Sequence, residues 1–384
     1  MPGSLEGVRV VELVGLGPAP FCGMVLADLG ADVIQIDRPT RAGQFEIVSP
    51  RFDLHRRGKR SIAVDLKSED GAALVLKLVA ESDVLIEGFR PGVAERLGIG
   101  PAAALAVNRR LVYGRMTGWG QTGPYADAAG HDIDYIAISG LLHPIGDAGS
   151  PTVPLNVIGD FGGGGMVLAM GVLAALIAAR DTGAGQVVDA AMVDGSALLS
   201  TSIHGLAAAG LWEDRRASNL LDGGAPFYSV YATSDGGHVA VGALEPQFFA
   251  ALVDRLGLNE CPPQLDRDRW PEMRALFAEK FGSRTRSQWV EIFEGVDGCV
   301  APVWSLSEAS ADPHLQARGT FVEVSGVVQP APAPRFSATP SESPAPPSLP
   351  GQHSEAILSA FGYSQSEISK LVAEGTVTNW TEES

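Results

Sequence analysis

The order of apolar and polar runs predicts strands that alternate with helices over the first 200 residues. A buried strand over Val8 to Val14 leads through a glycine turn into a helix from about Ala19 to Leu29 and a second strand ending at Asp37. The same alternation continues with strands at 61–66, 84–86, 111–116 and 186–192, and with helices at 69–80, 101–108, 166–180 and 194–211. This pattern predicts an α/β fold with a large, Rossmann-like parallel sheet, whose ligands bind outside the carboxyl ends of its strands.

The pattern changes after residue 224. Two alternating runs, 226–233 and 238–244, flank the turn Ser234-Asp235-Gly236-Gly237, which predicts an antiparallel hairpin. We therefore expect a large domain over 1–200, a helical linker over 201–224, a smaller α+β domain over 225–325, and a linker with a C-terminal segment over 326–384 that returns to the large domain. The proline-rich stretch 331–350 is expected to be extended, with little packed structure.

Composition limits the kinds of molecule and the cellular setting that we expect for this protein. The net charge of -17 over 384 residues argues against nucleic acid, since phosphate binding needs a basic surface. Cys22, Cys261 and Cys299 are too far apart in sequence to suggest a disulfide framework or a metal site. The N-terminus lacks the layout of a signal peptide, and the apolar run 166–179 is short for a bilayer. We therefore expect a cytoplasmic protein without membrane insertion.

The first glycine turn partly matches a dinucleotide-binding fingerprint. Gly15 and Gly17 follow a strand and precede a helix, and Asp37 stands about 20 positions later, as that fingerprint requires. Pro20 replaces the third glycine, however. A tight turn in an α/β unit is therefore favoured over nicotinamide binding.

The most basic segment lies just before the third strand. A cluster of cations in an acidic chain is a candidate anion site, and a solvated loop is the alternative that charge alone leaves open. Arg90, in the turn Gly88 to Gly92, adds another cation, and the glycine-rich stretch 117–125 predicts a loop on the ligand side of the sheet. The cations and histidine of this segment are Arg51, His55, Arg56, Arg57, Lys59 and Arg60.

Two glycine-flanked motifs carry groups able to move a proton. His131 follows Gly130, and Asp160 lies between Gly159 and the glycine run 162–165. An imidazole, with an ordinary pKa of about 6.5, and a carboxyl group suit general acid–base catalysis. In the alternative interpretation His131 is an ordinary helix-start residue and Asp160 a helix cap. The residues themselves leave both interpretations open.

Several motifs, in order over nearly the whole chain, resemble the family III CoA-transferase superfamily, and most closely its α-methylacyl-CoA racemase branch. The matching stretches are Val10-Val11-Glu12-Leu13, Leu26 to Ile34, Arg57-Gly58-Lys59-Arg60-Ser61 with Asp65-Leu66-Lys67, Arg90-Pro91-Gly92, Thr117 to Gln121, Gly130 to Ile133, Gly159-Asp160 and Gly185 to Asp189.

The resemblance implies a CoA thioester ligand and no separate cofactor, since CoA is part of the substrate. It also implies an interlocked homodimer, with each site between the large domain of one subunit and the small domain of the other. Residues of the basic segment and the neighbouring loops would then contact CoA. These candidates are Arg38, Arg57, Lys59, Arg60, Arg90, Gly120 and Tyr125.

In the racemase branch, the acid/base pair corresponds to His131 and Asp160, with Glu245 supporting the histidine. The implied reaction interconverts (2R)- and (2S)-2-methylacyl-CoA by proton transfer through an enolate. Asp160 must be partly protonated to act as donor, so we expect an apolar, glycine-lined setting to raise its pKa. The peptide N–H of Asp132 is the expected donor to the thioester oxygen if a helix begins there.

Two rival functions remain open. In a CoA-transferase, Asp160 would attack the acyl-CoA and form a mixed anhydride. A non-catalytic CoA-ester binding protein would need neither His131 nor Asp160. Transferases of the superfamily generally lack a histidine at position 131, so His131 together with Glu245 favours proton transfer. Glu245 precedes Pro246 and could instead be an exposed acid at a helix start. The sequence does not define the acyl group.

Overall fold

A seven-stranded sheet forms the centre of the larger of two units. We describe the protein from a computed structural model that covers residues 3–39 and 48–379. The larger unit comprises the chain up to residue 139, residues 155–199 and the chain from 319, and the smaller comprises 140–154 and 200–318. The large parallel-sheet core confirms the α/β class predicted from the alternating pattern.

The elements follow in chain order. The strands are β1 (Arg9–Leu13), β2 (Asp32–Asp37), β3 (Arg60–Val64), β4 (Val84–Glu87), β5 (Val112–Thr117), β6 (Val187–Ala191), β7 (Tyr228–Ala232), β8 (His238–Gly242), β9 (Val300–Pro302), β10 (Phe321–Val324), β11 (Val327–Pro330) and β12 (Val377–Thr378). The α-helices are α1 (Pro18–Asp28), α2 (Glu69–Ala80), α3 (Val93–Arg96), α4 (Pro101–Val107), α5 (Asp132–Ile138), α6 (Met166–Thr182), α7 (Met192–Leu199), α8 (Thr201–Ala208), α9 (Pro246–Arg255), α10 (Trp270–Gly282), α11 (Arg286–Phe293), α12 (Leu306–Ala309), α13 (Pro313–Ala317), α14 (Ser354–Ala360) and α15 (Gln365–Ala373). Short 3₁₀ turns cover Pro50–Phe52, Leu54–Arg56 and Arg267–Arg269, and a π-helix covers Val157–Gly165.

The strand order of the large sheet is β12-β3-β2-β1-β4-β5-β6. All neighbours pair in parallel except β12, which adds antiparallel to the edge at β3. The chain runs outward from β1 to β3 in one direction and from β4 to β6 in the other. The order therefore reverses between β1 and β4, and ligands of such sheets bind at the carboxyl ends on either side of that point.

Both faces of the sheet are buried, as in parallel sheets generally. Successive residues of β1 point to opposite sides: Val10 packs with α1 and α6, while Val11 and Leu13 pack with the helices of the other face. The helices that cover this second face include α2, α14 and α15. The C-terminal helices thus complete a core that the first hundred residues begin.

The smaller unit has its own core. Strands β7, β8 and β9 form an antiparallel sheet, in which the predicted hairpin is present with Tyr231 opposite Val239. Its buried cluster is rich in aromatic side chains, among them Phe227, Phe277 and Trp289. Such large rings each bury about 150–250 Å², so they contribute strongly to the core of this unit.

The units differ from the predicted domains in three places. Residues 140–154 belong to the smaller unit, because Arg216 donates to the carbonyls of His143 (2.8 Å) and Asp147 (3.1 Å). Residues 201–224, predicted as a helical linker, also belong to the smaller unit. The predicted smaller domain ended at residue 325, inside the hairpin of β10 and β11, but the whole hairpin belongs to the larger unit.

Two helix predictions need correction. The helix expected to begin after Gly165 begins at Val157 as a π-helix, and the single helix expected over 194–211 is two, α7 and α8, separated at Ser200. The glycine run lay outside the predicted helix, but its residues are helical and lie against a neighbouring helix. Gly195 of α7 is so close that a Cβ there would overlap the carbonyl oxygen of Gly163.

The continuous helix Val157–Thr182 is long and apolar enough, by length and composition, to cross a membrane. About 44% of its most apolar window is buried within the protein. Leu168 and Val172 pack against the sheet, and α6 contacts both β5 and β6. The helix therefore serves as a core helix of the larger unit.

The basic segment before β3 is largely buried, which corrects the expectation of a phosphate-facing patch for Arg57 and Lys59. The Lys59 ammonium has no exposed surface and donates to both carboxylate oxygens of Glu12 (2.8 and 2.6 Å) and to the carbonyl of Pro20 (2.9 Å). Arg57 forms a two-bond ion pair with Asp28 at the end of α1. These cations are neutralised inside the fold because burying a lone charge is prohibitively costly.

Arg56 and Arg60 complete the same arrangement. Arg56 donates to both carboxylate oxygens of Asp37 (2.9 and 2.6 Å), and Arg60 pairs with Asp32 at a half-exposed position. The four pairs fix the segment to β1, β2 and α1. Burial raises the pKa of Glu12 to about 7, against the attraction of Lys59 that lowers it.

The C-terminal stretch 331–350 is extended, as expected, but it is packed rather than loose. Arg56 Nε donates to the carbonyl of Ser348 (2.7 Å), and Gly58 N–H donates to that of Ala345 (3.0 Å). Arg57 donates to the carbonyl of Pro330 (2.8 Å). The stretch lacks regular structure because the basic segment, and not a sheet, satisfies these carbonyls.

Breaking the Lys59–Glu12 pair should strongly destabilise the protein. We expect Lys59→Met or Glu12→Gln to lower the free energy of unfolding by about 3–5 kcal/mol, since either leaves a buried group without its partner. Urea denaturation measures the loss. Arg60→Ala is the matched control, because its half-exposed pair with Asp32 contributes only about 0–1 kcal/mol. Equal losses in Lys59→Met and the control would contradict the prediction.

Candidate active site

A cavity of about 250 Å³ lies at the carboxyl ends of β1 and β4, where the strand order reverses. The turn after β1 contributes Leu16 and Pro18, and the turn after β4 contributes Phe89 and Arg90. His131 stands on the rim that the loop before α5 provides. The cavity is therefore where the topology of a parallel sheet predicts a ligand, with an imidazole and a guanidinium in its lining.

His131 is the exposed residue immediately before α5. Its backbone is extended (φ -134°, ψ 173°), and the helix begins at Asp132, as the sequence predicted. The N–H groups of Asp134 and Tyr135 donate to its carbonyl (2.8 and 3.3 Å). Because Asp132 opens the helix, its own N–H has no partner within the helix and points outward from the helix start.

Asp160 lies in the first turn of the π-helix that precedes α6. A π-helix is rare in proteins and is frequently found at functional sites. The wider turns are compatible with the glycine run, whose residues pack against α1 and α7. The same packing holds the Asp160 carboxylate over Gly17, where a Cβ would stand 3.3 Å from Oδ2.

One hydrogen bond joins the motif of His131 to that of Asp160. The N–H of Asp160 donates to Asp132 Oδ1 at 2.6 Å, across 28 residues of sequence. Gly159 makes the approach possible, because a Cβ there would lie 2.7 Å from the same oxygen. The helix start after His131 and the π-helix of Asp160 are thereby held in register with each other.

The surroundings of Asp160 favour its protonated form, as expected. Burial raises the pKa of the Asp160 carboxyl, and the nearby charge of Asp132 raises it further. The side-chain amide of Asn156, which donates to Oδ2 at 3.0 Å, lowers the pKa, and so does the charge of His131. The two motifs are thus close enough for their charges to interact.

The remaining predicted residues are distributed more widely. Arg38 is exposed at the carboxyl end of β2, and Arg90 is exposed at the cavity. Gly120 is buried, where its N–H donates to Thr117 Oγ1 (3.0 Å), and Tyr125 is about half exposed with its ring against Trp119 (5.2 Å between centroids). Glu245 precedes α9 in the smaller unit and is exposed, so its role stays a prediction.

Sequence reasoning missed Asn156. It stands four residues before Asp160, a spacing that brings side chains together on a helix, but the predicted helix began only after Gly165. Recognising residues 156–165 as helical would have identified it as a hydrogen-bond partner. Within residues 3–39 and 48–379 there is no group of three or more His, Cys, Asp or Glu side chains placed to hold a metal ion.

Removing the Asn156 amide should raise the pKa of Asp160 further. The amide donates to the carboxylate and so stabilises the ionised form, and Asn156→Ala should therefore move the titration of Asp160 to higher pH. The ¹³C shift of the carboxyl, assigned by its loss in Asp160→Asn, measures this. Asn108→Ala, which removes an amide that donates to the carbonyls of Val79 and Ser82, serves as control. A midpoint that is unchanged or lower in Asn156→Ala would contradict the assignment.

Comparison with known proteins finds relatives that match nearly the whole chain. An alpha-methylacyl-CoA racemase from Homo sapiens is 46% identical over 379 residues, covering 96% of this chain and 96% of the relative. A succinyl-CoA:glutarate CoA-transferase from Homo sapiens is 30% identical, covering 97% of this chain and 90% of the relative. Among solved structures, a CAIB/BAIF family protein from Brucella suis matches with a TM-score of 0.80 at 26% identity, over 94% of this chain and all of the other (100%).

A family model extends over almost the whole chain. The model described as CoA-transferase family III matches residues 5–354, which include the motifs of His131 and Asp160 and the strands on either side of the cavity. The solved CAIB/BAIF structure agrees with the mixed α/β fold. This chain belongs to CoA-transferase family III.

Proposed function

We propose that the protein is a racemase that interconverts (2R)- and (2S)-2-methylacyl-CoA thioesters. His131 and Asp160 act as the acid/base pair, and an enolate is the intermediate. The observation that carries this proposal is the direct link between the two motifs, in which Asp160 N–H donates to Asp132 Oδ1 beside a cavity that His131 lines. The similarity to a protein named alpha-methylacyl-CoA racemase supports the substrate class.

Each residue has a role that its surroundings suit. One of the two groups removes the α-proton from one face of the substrate, and the other returns a proton to the opposite face. The raised pKa of Asp160 allows it to start protonated in one direction and ionised in the other. The N–H of Asp132 at the start of α5 stabilises the charge that develops on the thioester oxygen.

Three further features belong to the same proposal. Glu245, from the smaller unit of a partner subunit in an interlocked homodimer, supports the imidazolium form of His131. CoA arrives as part of the substrate, so no separate cofactor takes part. The protein acts in the cytoplasm, without insertion into a membrane.

CoA phosphates are held by exposed arginines at the carboxyl edge of the sheet. Arg38 and Arg90 meet this requirement, since both are exposed: Arg38 directly follows β2, and Arg90 lies in the turn after β4. Arg57 and Lys59 act indirectly, because their ion pairs fix the segment behind this edge. Arg60 is half exposed and already paired with Asp32. The Gly120 loop and Tyr125 form the adjoining wall.

Racemisation in deuterated water tests the mechanism. One pure epimer of a 2-methylacyl-CoA should gain α-deuterium and yield the opposite epimer. His131→Ala and Asp160→Ala should each slow racemisation about 10²- to 10⁴-fold, since each removes one proton-transfer group. Chiral chromatography and mass spectrometry measure inversion and exchange separately, and thermal unfolding checks that both variants are folded.

The rival reaction has a different outcome in the same experiment. A CoA-transferase would leave the α-hydrogen in place and pass CoA to an added carboxylic acid, with Asp160 as nucleophile. Relatives named as CoA-transferases at 30% identity make this the second candidate. Transfer of CoA without α-exchange would replace the racemase proposal.

Arg90→Ala and Arg38→Ala should each weaken binding of an acyl-CoA about tenfold or more, since a charge-assisted hydrogen bond contributes about 1.5–3 kcal/mol. The dependence of the Kd on salt should also become shallower, because fewer charges then meet the phosphates. Calorimetric titration at two salt concentrations measures both effects. Arg110→Ala is the control, since Arg110 is exposed before β5, at the opposite edge of the sheet. Equal Kd values for all three variants would contradict the assignment.

A further inference from the structure

The peptide group that joins Gly130 to His131 is hydrogen-bonded at both ends to side chains of α5. On one side, the hydroxyl of Tyr135 donates to the carbonyl of Gly130. On the other side, the N–H of His131 donates to Asp134 Oδ2 at 2.9 Å. Both partners lie in the first turn of the helix that His131 precedes. One planar unit next to the catalytic histidine is therefore held from two directions.

Tyr135 is itself rigidly placed. Its ring is 6% exposed and meets the Trp119 ring edge to face, with 4.8 Å between centroids. Gly118 and Gly130 enclose it, since a Cβ at Gly118 would overlap the ring and one at Gly130 would lie 2.8 Å from it. Burial raises the pKa of Tyr135 to about 12, so the phenol is the donor at neutral pH.

Asp134 differs from Tyr135 in its surroundings, because it is exposed. Its hydrogen bond to His131 N–H adds to the bond in which Asp134 N–H donates to the His131 carbonyl (2.8 Å). The backbone of His131 is thus bonded to this one residue on both sides of its Cα. A free loop would leave the imidazole to sample several positions, and misplacement by about 1 Å can cost roughly a hundredfold in rate.

Building on the proposed racemase function, we propose that Tyr135 and Asp134 are positioning residues, which clamp the Gly130–His131 peptide and so fix the imidazole for proton transfer. Neither side chain needs to touch the substrate. The clamp acts on the transfer at His131, whereas Asn156 and Asp132 act on the transfer at Asp160.

Tyr135→Phe and Asp134→Ala should each lower kcat roughly ten- to a hundredfold with little change in KM, since the proton-transfer geometry and not binding is altered. Asp134→Asn keeps an oxygen that can accept from His131 N–H and should restore most of the activity. Tyr113→Phe is the matched control for Tyr135→Phe. Tyr113 is also fully buried and donates its hydroxyl to a backbone carbonyl, that of Ile99 at 3.1 Å, but it packs on the opposite face of the sheet.

Isotope effects distinguish positioning from a general loss of stability. In a two-base racemase, one epimer gives its α-proton to His131 and the other gives it to Asp160. Slower transfer at His131 should raise the effect of α-deuteration for the first epimer and not for the second, in both Tyr135→Phe and Asp134→Ala. In Asn156→Ala, the effect of α-deuteration should instead rise for the second epimer, which gives its α-proton to Asp160.

The outcomes separate the two proposals. A shared, one-sided rise of the isotope effect in Tyr135→Phe and Asp134→Ala supports the clamp. If Tyr135→Phe loses no more activity than Tyr113→Phe at a similar unfolding midpoint, and Asp134→Ala retains its kcat, the clamp is overturned while the racemase function stands. Because Asp134 is exposed, its variants keep the test decisive even if Tyr135→Phe folds poorly. A wild-type protein that exchanges no α-proton overturns the racemase function itself.

Discussion

The interior charges around residues 56–60 are the constraint on which the larger unit depends. Lys59 and Arg57 have lost nearly all contact with water, and their carboxylate partners lie on β1 and α1. The desolvation of such ions is offset only when every donor finds its acceptor, so the elements that carry them tolerate little displacement. The Lys59 ammonium also bonds the carbonyl of Pro20, next to the turn that carries Gly17 and faces Asp160. Placement of the Asp160 carboxyl thus depends in part on an ion pair in the interior of the larger unit.

Close backbone contacts carry this placement to the proton-transfer groups. Gly163 and Gly195 bring the π-helix against α7, and Gly159 brings Asp160 N–H to Asp132. The two motifs differ in how they are held. Asp160 is fixed through helix packing and one hydrogen bond, whereas His131 is fixed through a peptide bonded at both ends. Each of the two groups is therefore held by its own backbone contacts.

Much of this could be predicted from the sequence, for identifiable reasons. The alternation of strands and helices predicted the sheet, and the rule for parallel sheets predicted the edge at which the cavity lies. Charge patterning left an anion site and a solvated loop both open for the basic segment. It did not predict the burial of Arg57 and Lys59, because their partners lie 29 and 47 residues away. Glu12 lies inside an apolar strand, and a buried carboxylate needs a cation as its partner. This signal for a buried ion pair was missed. The π-helix was missed because glycine usually ends helices, and only tertiary packing reverses that preference.

The packed C-terminal stretch has a consequence for synthesis of the chain on the ribosome. Arg56 donates to the carbonyl of Ser348, 292 residues later in the sequence. At about 5–20 residues per second, that acceptor is made roughly 15–60 s after the arginine. Residues 200–318 can complete their own core within this interval. During this interval the larger unit of the nascent chain therefore remains incomplete, with part of its charged interior open. In that period it is the unit that most needs protection by chaperones.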